Sequence, residues 1–293
     1  MTELAHHEAV VDGVRLHYVE AGDGPLVVLL HGFPEFWYSW REQIPALAEA
    51  GFRVVAPDMR GYNASEKPRG VERYRTDELV GDAAALVDRF GEESASVVGH
   101  DWGGVVAWET AIRRPERVDR LAVLNAPHPG RYREAIRSPE QLLRSWYALF
   151  FQLPKVPELL LSARDYAGIE GMLRGSAESP DAFTEEDIRR YVEAAARPGA
   201  LTAALDYYRA AFRENAPEEL RARLGGTRRS FDVRAPTLLI WGERDPALSV
   251  ELTEGLERWV PDLRVERLPD AGHAVQNDAP DRVNELLVEF LRE

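Results

Sequence analysis

A chain of 293 residues can bury one large core, or a core with a subdomain. Its formal net charge of −14 argues against nucleic acid or an anionic membrane surface as partner, because either repels a protein of that sign. The absence of cysteine excludes disulfides, thiolate chemistry and Cys-ligated metal. The start, Met1 to Glu8, has no basic segment followed by an apolar one, and no apolar run approaches a membrane span, so a soluble cytoplasmic protein is expected.

In chain order, Val10-Val11 and Val14 to Glu20 are β-rich segments joined by Asp12-Gly13, a hairpin signal. Pro25 to Leu30 is a continuous apolar run, the mark of a strand buried on both faces of a parallel sheet, and it ends in His31-Gly32-Phe33-Pro34-Glu35. A helical pattern from Trp40 to Ala50 closes at Gly51, and Phe52 to Ala56 is the next buried strand. Asp58 to Ser65 is a loop by composition. Thr76 is predicted to cap a helix reaching about Phe90, with Gly91 as its stop, before strands at Ala95 to Val98 and, after another helix, Leu121 to Leu124. This alternation predicts a parallel sheet with helices on both faces, whose ligands sit beyond the carboxyl ends of the strands.

After Asn125-Ala126-Pro127-His128-Pro129-Gly130 the alternation stops. Ser138-Pro139-Glu140-Gln141 reads as a capping box opening a helix to about Phe151; Thr184, with acids behind it, opens another, and Ala200 to Asn215 is a third. Strands resume at Thr237 to Trp241 and Val265 to Leu268, and a helix from Pro280 to Leu291 closes the chain. The helical block is therefore expected to be an insertion between two strands of one sheet: a lid of residues 131–226 over a core of residues 1–130 and 227–293.

The chemistry concentrates at Ser96-Val97-Val98-Gly99-His100-Asp101-Trp102-Gly103-Gly104, where a strand turns sharply into a helix around Asp101. Sequences with this elbow usually carry Ser at its centre. A carboxylate with a reference pKa of about 3.9 is already ionised at neutral pH, needs no base to attack, and attacks at carbon to leave an alkyl ester. Asp245 follows the strand Leu238 to Trp241, and His273 lies in Asp270-Ala271-Gly272-His273 after the last strand, giving the order nucleophile, acid, histidine. His273 can take a proton from water while Asp245 fixes its tautomer. Glu243 is the rival acid but, two residues nearer the strand, is expected to point elsewhere; an acid after the strand at Leu121 is another geometry, and Asn125 stands there. The backbone amides of Phe33 and Trp102 are placed to receive the ester oxyanion, while His31, Gly32 and Pro34 hold the turn that supports the site. His6, His7 and His17 form no metal-ligand spacing, and His31 and His100 belong to tight turns where they hold the loop.

The combination of His31-Gly32-Phe33-Pro34, Gly99-His100-Asp101-Trp102-Gly103-Gly104, Asp245 and Asp270-Ala271-Gly272-His273 closely resembles the soluble epoxide hydrolases of the α/β-hydrolase superfamily, over essentially the whole chain. The resemblance implies a mostly parallel eight-stranded sheet flanked by helices, an inserted helical lid, a small neutral hydrophobic epoxide and water as reaction partners, and no cofactor or metal. It also implies two lid tyrosines holding the epoxide oxygen, matched by Tyr147 and Tyr208. Periodicity supports the choice, placing Leu143, Tyr147 and Phe150 on one helical face and Leu201, Leu205, Tyr208 and Phe212 on another, with Tyr207 among alanines. Phenols near pKa 10 stay protonated at pH 7 and can donate to an alkoxide. Two departures from the family pattern stand out: Ala274 replaces a bulky aromatic after the histidine, implying a roomier pocket, and Asn63 stands where Gly is frequent.

Two other readings use the same residues. A haloalkane or haloacetate dehalogenase shares the Asp, His and acid, but Phe33 occupies the place of a usual second halide donor, and Trp102 and Val105 stand where haloacetate enzymes have arginines. A ligand-binding protein on a hydrolase scaffold would have no use for an intact nucleophile, base and acid.

Overall fold

Asp12 and Gly13 take φ of 46° and 76°, so the chain reverses in two residues and β1 (Ala5–Val11) pairs antiparallel with β2 (Val14–Ala21), Val11 facing Val14. The computed structural model describes residues 4–136, 139–223 and 229–293, with side chains except at 139, 140, 142 and 215–223. The later strands are β3 (Leu26–Leu30), β4 (Arg53–Pro57), β5 (Ala95–His100), β6 (Val118–Leu124), β7 (Thr237–Gly242) and β8 (Leu263–Leu268). They form one eight-stranded sheet in the order β1-β2-β4-β3-β5-β6-β7-β8, antiparallel at β1-β2 and β2-β4 and parallel from there on. Every residue of β3 is at most 4% exposed, and each fully buried Val or Leu contributes about 1.5–3 kcal/mol over its exposed state.

The connecting helices are α1 (Gln43–Glu49), α2 (Thr76–Arg89) and α3 (Asp101–Arg113). The first begins later than the sequence suggests: Trp37–Trp40 makes a separate 3-10 turn, and Pro45 in the first turn of α1 brings no amide. Thr76 is not a cap. Arg75 occupies that position with no side-chain cap bond, and Thr76 Oγ1 instead donates to Glu214 Oε2 at 2.8 Å.

Between β6 and β7 the described residues contain helices and no strand: α4 (Pro129–Ala135), α5 (Pro139–Arg144), α6 (Trp146–Phe150), α7 (Val156–Ser176), α8 (Glu185–Ala195) and α9 (Ala200–Arg223). Ser138, the first residue of the expected capping box, lies outside the described residues. The single helix expected to reach Phe151 is two, because the chain departs from helical geometry at Ser145, whose Oγ accepts from Gln141 Nε2 at 3.0 Å. Within α7, Arg164, Asp165 and Tyr166 all have φ between 52° and 64°, so the helix is kinked there. Thr184 and Asp187 form a reciprocal capping box at the start of α8. After β8, the short α10 (Val275–Asp278) and the longer α11 (Pro280–Arg292) complete the chain. No helix of the described residues is long and apolar enough to cross a membrane.

Candidate active site

β5 ends at His100, and the next residue, Asp101, has φ of 49° and is already the first residue of α3. The turn is this tight because glycines let α3 lie against the strands: a Cβ on Gly99 would stand 2.3 Å from the Gly103 carbonyl oxygen, and one on Gly103 would stand 2.1 Å from that of Leu30. The strained backbone presents the Asp101 carboxylate at the carboxyl end of a strand flanked by β3 and β6. Its Oδ1 accepts from the Phe33 amide at 2.8 Å. Trp102 lies in the leading turn of α3, where amides have no intrahelical acceptor.

On the other side of the carboxylate, His273 Nε2 is 3.5 Å from Asp101 Oδ2, and His273 Nδ1 is 2.6 Å from Asp245 Oδ2. Asp245 is buried, whereas Glu243 is exposed. Four donors hold Asp245: His273, the amides of Ala247 (2.8 Å) and Leu248 (2.9 Å), and Asn125 Nδ2 (2.8 Å). Asn125 entered the sequence reading only as a position that could not be anionic. Its φ of 40°, a conformation Asn tolerates, sets it at the end of β6, where Oδ1 also accepts from the Gly242 amide at 2.8 Å. The adjacency of β6 and β7 in the sheet is what makes this contact, and no local motif announces it.

Tyr147 on α6 and Tyr208 on α9 have ring centroids 6.0 Å apart. The Tyr208 ring is 4.9 Å from Phe151, 5.5 Å from Phe33 and 5.0 Å from Trp102, edge-on in each case. Tyr207 is buried with its hydroxyl donating to the Arg60 carbonyl at 2.8 Å. The stripes drawn from periodicity are only partly covered, since Leu143 and Phe212 are exposed. For Leu143 the cause is the break at Ser145, which removes it from the register of Tyr147.

The profile of the α/β hydrolase fold family matches residues 25–280. An AB hydrolase superfamily protein of Bacillus subtilis (strain 168), YfhM, is 43% identical over 284 residues, 96% of each chain. Epoxide hydrolase 4 of Mus musculus is 39% identical over 289 residues, 96% of this chain and 77% of its own. The crystal structure of a Bacillus megaterium epoxide hydrolase in complex with an inhibitor superposes with a TM-score of 0.85 at 35% identity, covering 98% of this chain and 100% of that one. The chain belongs to the epoxide hydrolase family of the α/β-hydrolase superfamily.

In this epoxide hydrolase family member, opposing forces set the charges of the site. Burial works to raise the Asp101 carboxyl, but the hydrogen bond and charge of His273, the charge of His100 and the Phe33 amide outweigh it and hold the group below the usual carboxylate range. Burial likewise works to lower the His273 imidazole, and the facing carboxylates of Asp245 and Asp101 overcome it, raising the group well above the usual histidine range. Burial raises Tyr147 and Tyr208 well above 10, and the negative charge of Asp101 pushes both further. One carboxylate thus acts on the imidazole and on both phenols.

The supporting turn is wired by side chains. His31 donates from Nδ1 to the Gly32 carbonyl at 2.9 Å and accepts from the Met59 amide on Nε2 at 3.0 Å, which fixes a neutral ring that burial also favours. Pro34 follows a cis peptide bond. Glu35 Oε2 accepts from the Gly32 amide at 2.8 Å and from His100 Nδ1 at 3.0 Å, and His100 Nε2 donates to the His273 carbonyl at 2.9 Å. Asn63, with φ of 37°, donates to Asp58 Oδ2 at 2.9 Å, so this position is one where a left-handed backbone favours Gly or Asn. Among the described residues no group of three His, Asp or Glu side chains could hold a metal ion.

Proposed function

We propose that this chain hydrolyses epoxides to vicinal diols through a covalent ester on Asp101. Residues 1–130 and 227–293 act as the core carrying Asp101, Asp245 and His273, and residues 131–226 act as a lid carrying Tyr147 and Tyr208. The observation that carries this reading is geometric: His273 bridges Asp245 (2.6 Å) and Asp101 (3.5 Å), and the Tyr208 ring, beside Tyr147, packs on Phe33 and Trp102, the residues that flank the Asp101 carboxylate. The aromatic rings of Phe33, Phe151 and Trp102 around Tyr208 suit a small neutral hydrophobic epoxide.

Asp101 Oδ2, the oxygen not held by the Phe33 amide, attacks an oxirane carbon and the ring C–O bond breaks. The ring oxygen takes a proton from Tyr147 or Tyr208, giving a hydroxyalkyl ester and a phenolate. Oδ1 becomes the ester carbonyl on the amides of Phe33 and Trp102. Ester formation removes the anion that helped keep His273 protonated; the imidazole releases its proton, which restores the phenol through solvent. Neutral His273, oriented by Asp245, then takes a proton from water as hydroxide adds to the Asp101 carboxyl carbon. Collapse breaks the bond from that carbon to the alkyl oxygen, and the departing alkoxide takes the proton of the new carboxylic acid. Asp101 returns as carboxylate and His273 as imidazolium.

A single turnover in heavy-oxygen water tests this reading. Mass spectrometry is expected to find the label in the Asp101 peptide and an unlabelled first diol, with no turnover by Asp101→Asn and an adduct of substrate mass on His273→Gln. A labelled first diol with unlabelled Asp101 would overturn it. Chloroalkanes in the same panel, scored for halide, test the dehalogenase reading.

A further inference from the structure

The loop that carries His273 is bound to the helical block by one carboxylate. Asp278, at the end of α10, accepts on Oδ2 from the Gly272 amide at 2.7 Å. The same carboxylate accepts from the Glu178 amide on both oxygens at 3.0 Å and from the Ser179 amide on Oδ1 at 2.9 Å, just past the end of α7. The two segments meet directly as well: the Ala274 amide donates to the Ser176 carbonyl at 3.0 Å, and a Cβ on Gly272 would stand 2.7 Å from that oxygen. Arg244, the neighbour of Asp245, ties the same pieces from outside, its guanidinium reaching the Pro269 carbonyl (3.1 Å), Asp270 Oδ1 (2.5 Å) and Glu178 Oε2 (3.4 Å).

Three amides from two segments converge on Asp278, and only a carboxylate offers acceptors on both arms. Asparagine has one acceptor oxygen, and its amide donors would face an N–H. Asp101, Tyr147 and Tyr208 stand on α3, α6 and α9, not on the two segments that Asp278 joins. We propose that Asp278 is a positioning residue that fixes the His273 loop against the lid segment 176–179, and so governs hydrolysis of the ester while leaving its formation alone. This rests on the two-step reading above.

The kinetics separate such a role from a merely structural one. When hydrolysis alone slows, ester accumulates, and kcat and KM fall together while kcat/KM, which reports ester formation, stays constant. A loss of folded protein lowers kcat and leaves KM where it was. For Asp278→Asn and Asp278→Ala, kcat and KM are each expected to fall between about tenfold and a hundredfold, the range for misplacement of a catalytic group from a distance. Stopped-flow alkylation rates should stay at the parent value, and mass spectrometry should show a larger steady-state ester fraction. Arg244→Gln, at a half-exposed position, should shift the same quantities in the same direction by less, and serves if the Asp278 variants fail to fold. A fall in kcat at constant KM, or alkylation slowed as much as hydrolysis, would overturn the proposal. Ester on His273→Gln with unchanged hydrolysis in the Asp278 variants would remove the clasp alone. No ester on His273→Gln with any epoxide offered would remove the mechanism and the clasp with it.

Discussion

Replacing Tyr207 by Phe deletes one oxygen from α9 at a position that is fully buried, and the structure supplies the cost. The hydroxyl donates at 2.8 Å to the carbonyl of Arg60. Arg60 is itself buried, its guanidinium bonded to Asp82 at 2.5 and 2.7 Å, to Glu78 Oε2 at 2.8 Å and to the Arg73 carbonyl at 2.7 Å, so the residue cannot swing out to find water. Leaving that carbonyl without its donor costs about 1–3 kcal/mol. At the one to two degrees per kcal/mol expected for a chain this long, Tm falls by roughly 2–5 °C. Tyr208→Phe, one residue on, removes the hydroxyl of a half-buried ring packed on Phe33 and Trp102: stability should stay within about 0.5 kcal/mol, while on the proposed mechanism diol formation drops by about a hundredfold, and further when combined with Tyr147→Phe. Chemical denaturation and diol assays on the two single variants decide the matter. Equal denaturation midpoints for Tyr207→Phe and the parent, or parental diol rates in Tyr208→Phe, would refute the division of labour between the neighbours.

The His273 ring should titrate lower in Asp101→Asn than in the parent when followed by NMR, because one of the two carboxylates holding its charge is gone. The stability that a raised histidine contributes is complete below its unfolded value of about 6.5 and is lost as pH rises through the folded value, so in Asp101→Asn the contribution is smaller and its loss is complete at lower pH; an unmoved titration would contradict the assigned cause. Gly99→Ala puts a Cβ 2.3 Å from the Gly103 carbonyl oxygen and only backbone can move, so a destabilisation above about 4 kcal/mol is expected, read as insoluble protein or a collapsed denaturation midpoint.

What the sequence made legible is what short stretches of backbone decide. The Asp12-Gly13 reversal, the helix start at Thr184 and the elbow around Asp101 are each settled by residues within a few positions of one another. Partners far along the chain stayed hidden. Thr76 looks like a cap because Thr caps helices, yet its hydroxyl goes to Glu214, and it is that distant carboxylate that accepts from the Thr76 amide at the start of the helix. The break at Ser145 splits a stripe that periodicity joined, and three successive left-handed residues at Arg164 to Tyr166 follow no turn signal. Asn125 and Asp278 carry no motif at all; each is informative only once β6 lies beside β7, or α7 beside the His273 loop.

In the proposed mechanism, the choice of carboxylate over hydroxyl at the elbow confines one histidine to the second half-reaction. While Asp101 is ionised, its charge raises Tyr147, Tyr208 and His273 alike, so all three hold their protons. Opposite charges a few ångströms apart at a protein site interact by about 4 kcal/mol, enough to shift a proton equilibrium by roughly three powers of ten. Alkylation cancels that charge in one event. The phenols become stronger donors as the alkoxide forms, and the imidazole, left with Asp245 alone, becomes free to give up its proton and act on water. A serine at position 101 is neutral before it acts and neutral as an ester, so it would need the histidine as base at the outset and could supply no such change. In that proposal the order of the proton transfers follows from where a single negative charge sits, with His273 3.5 Å from Asp101.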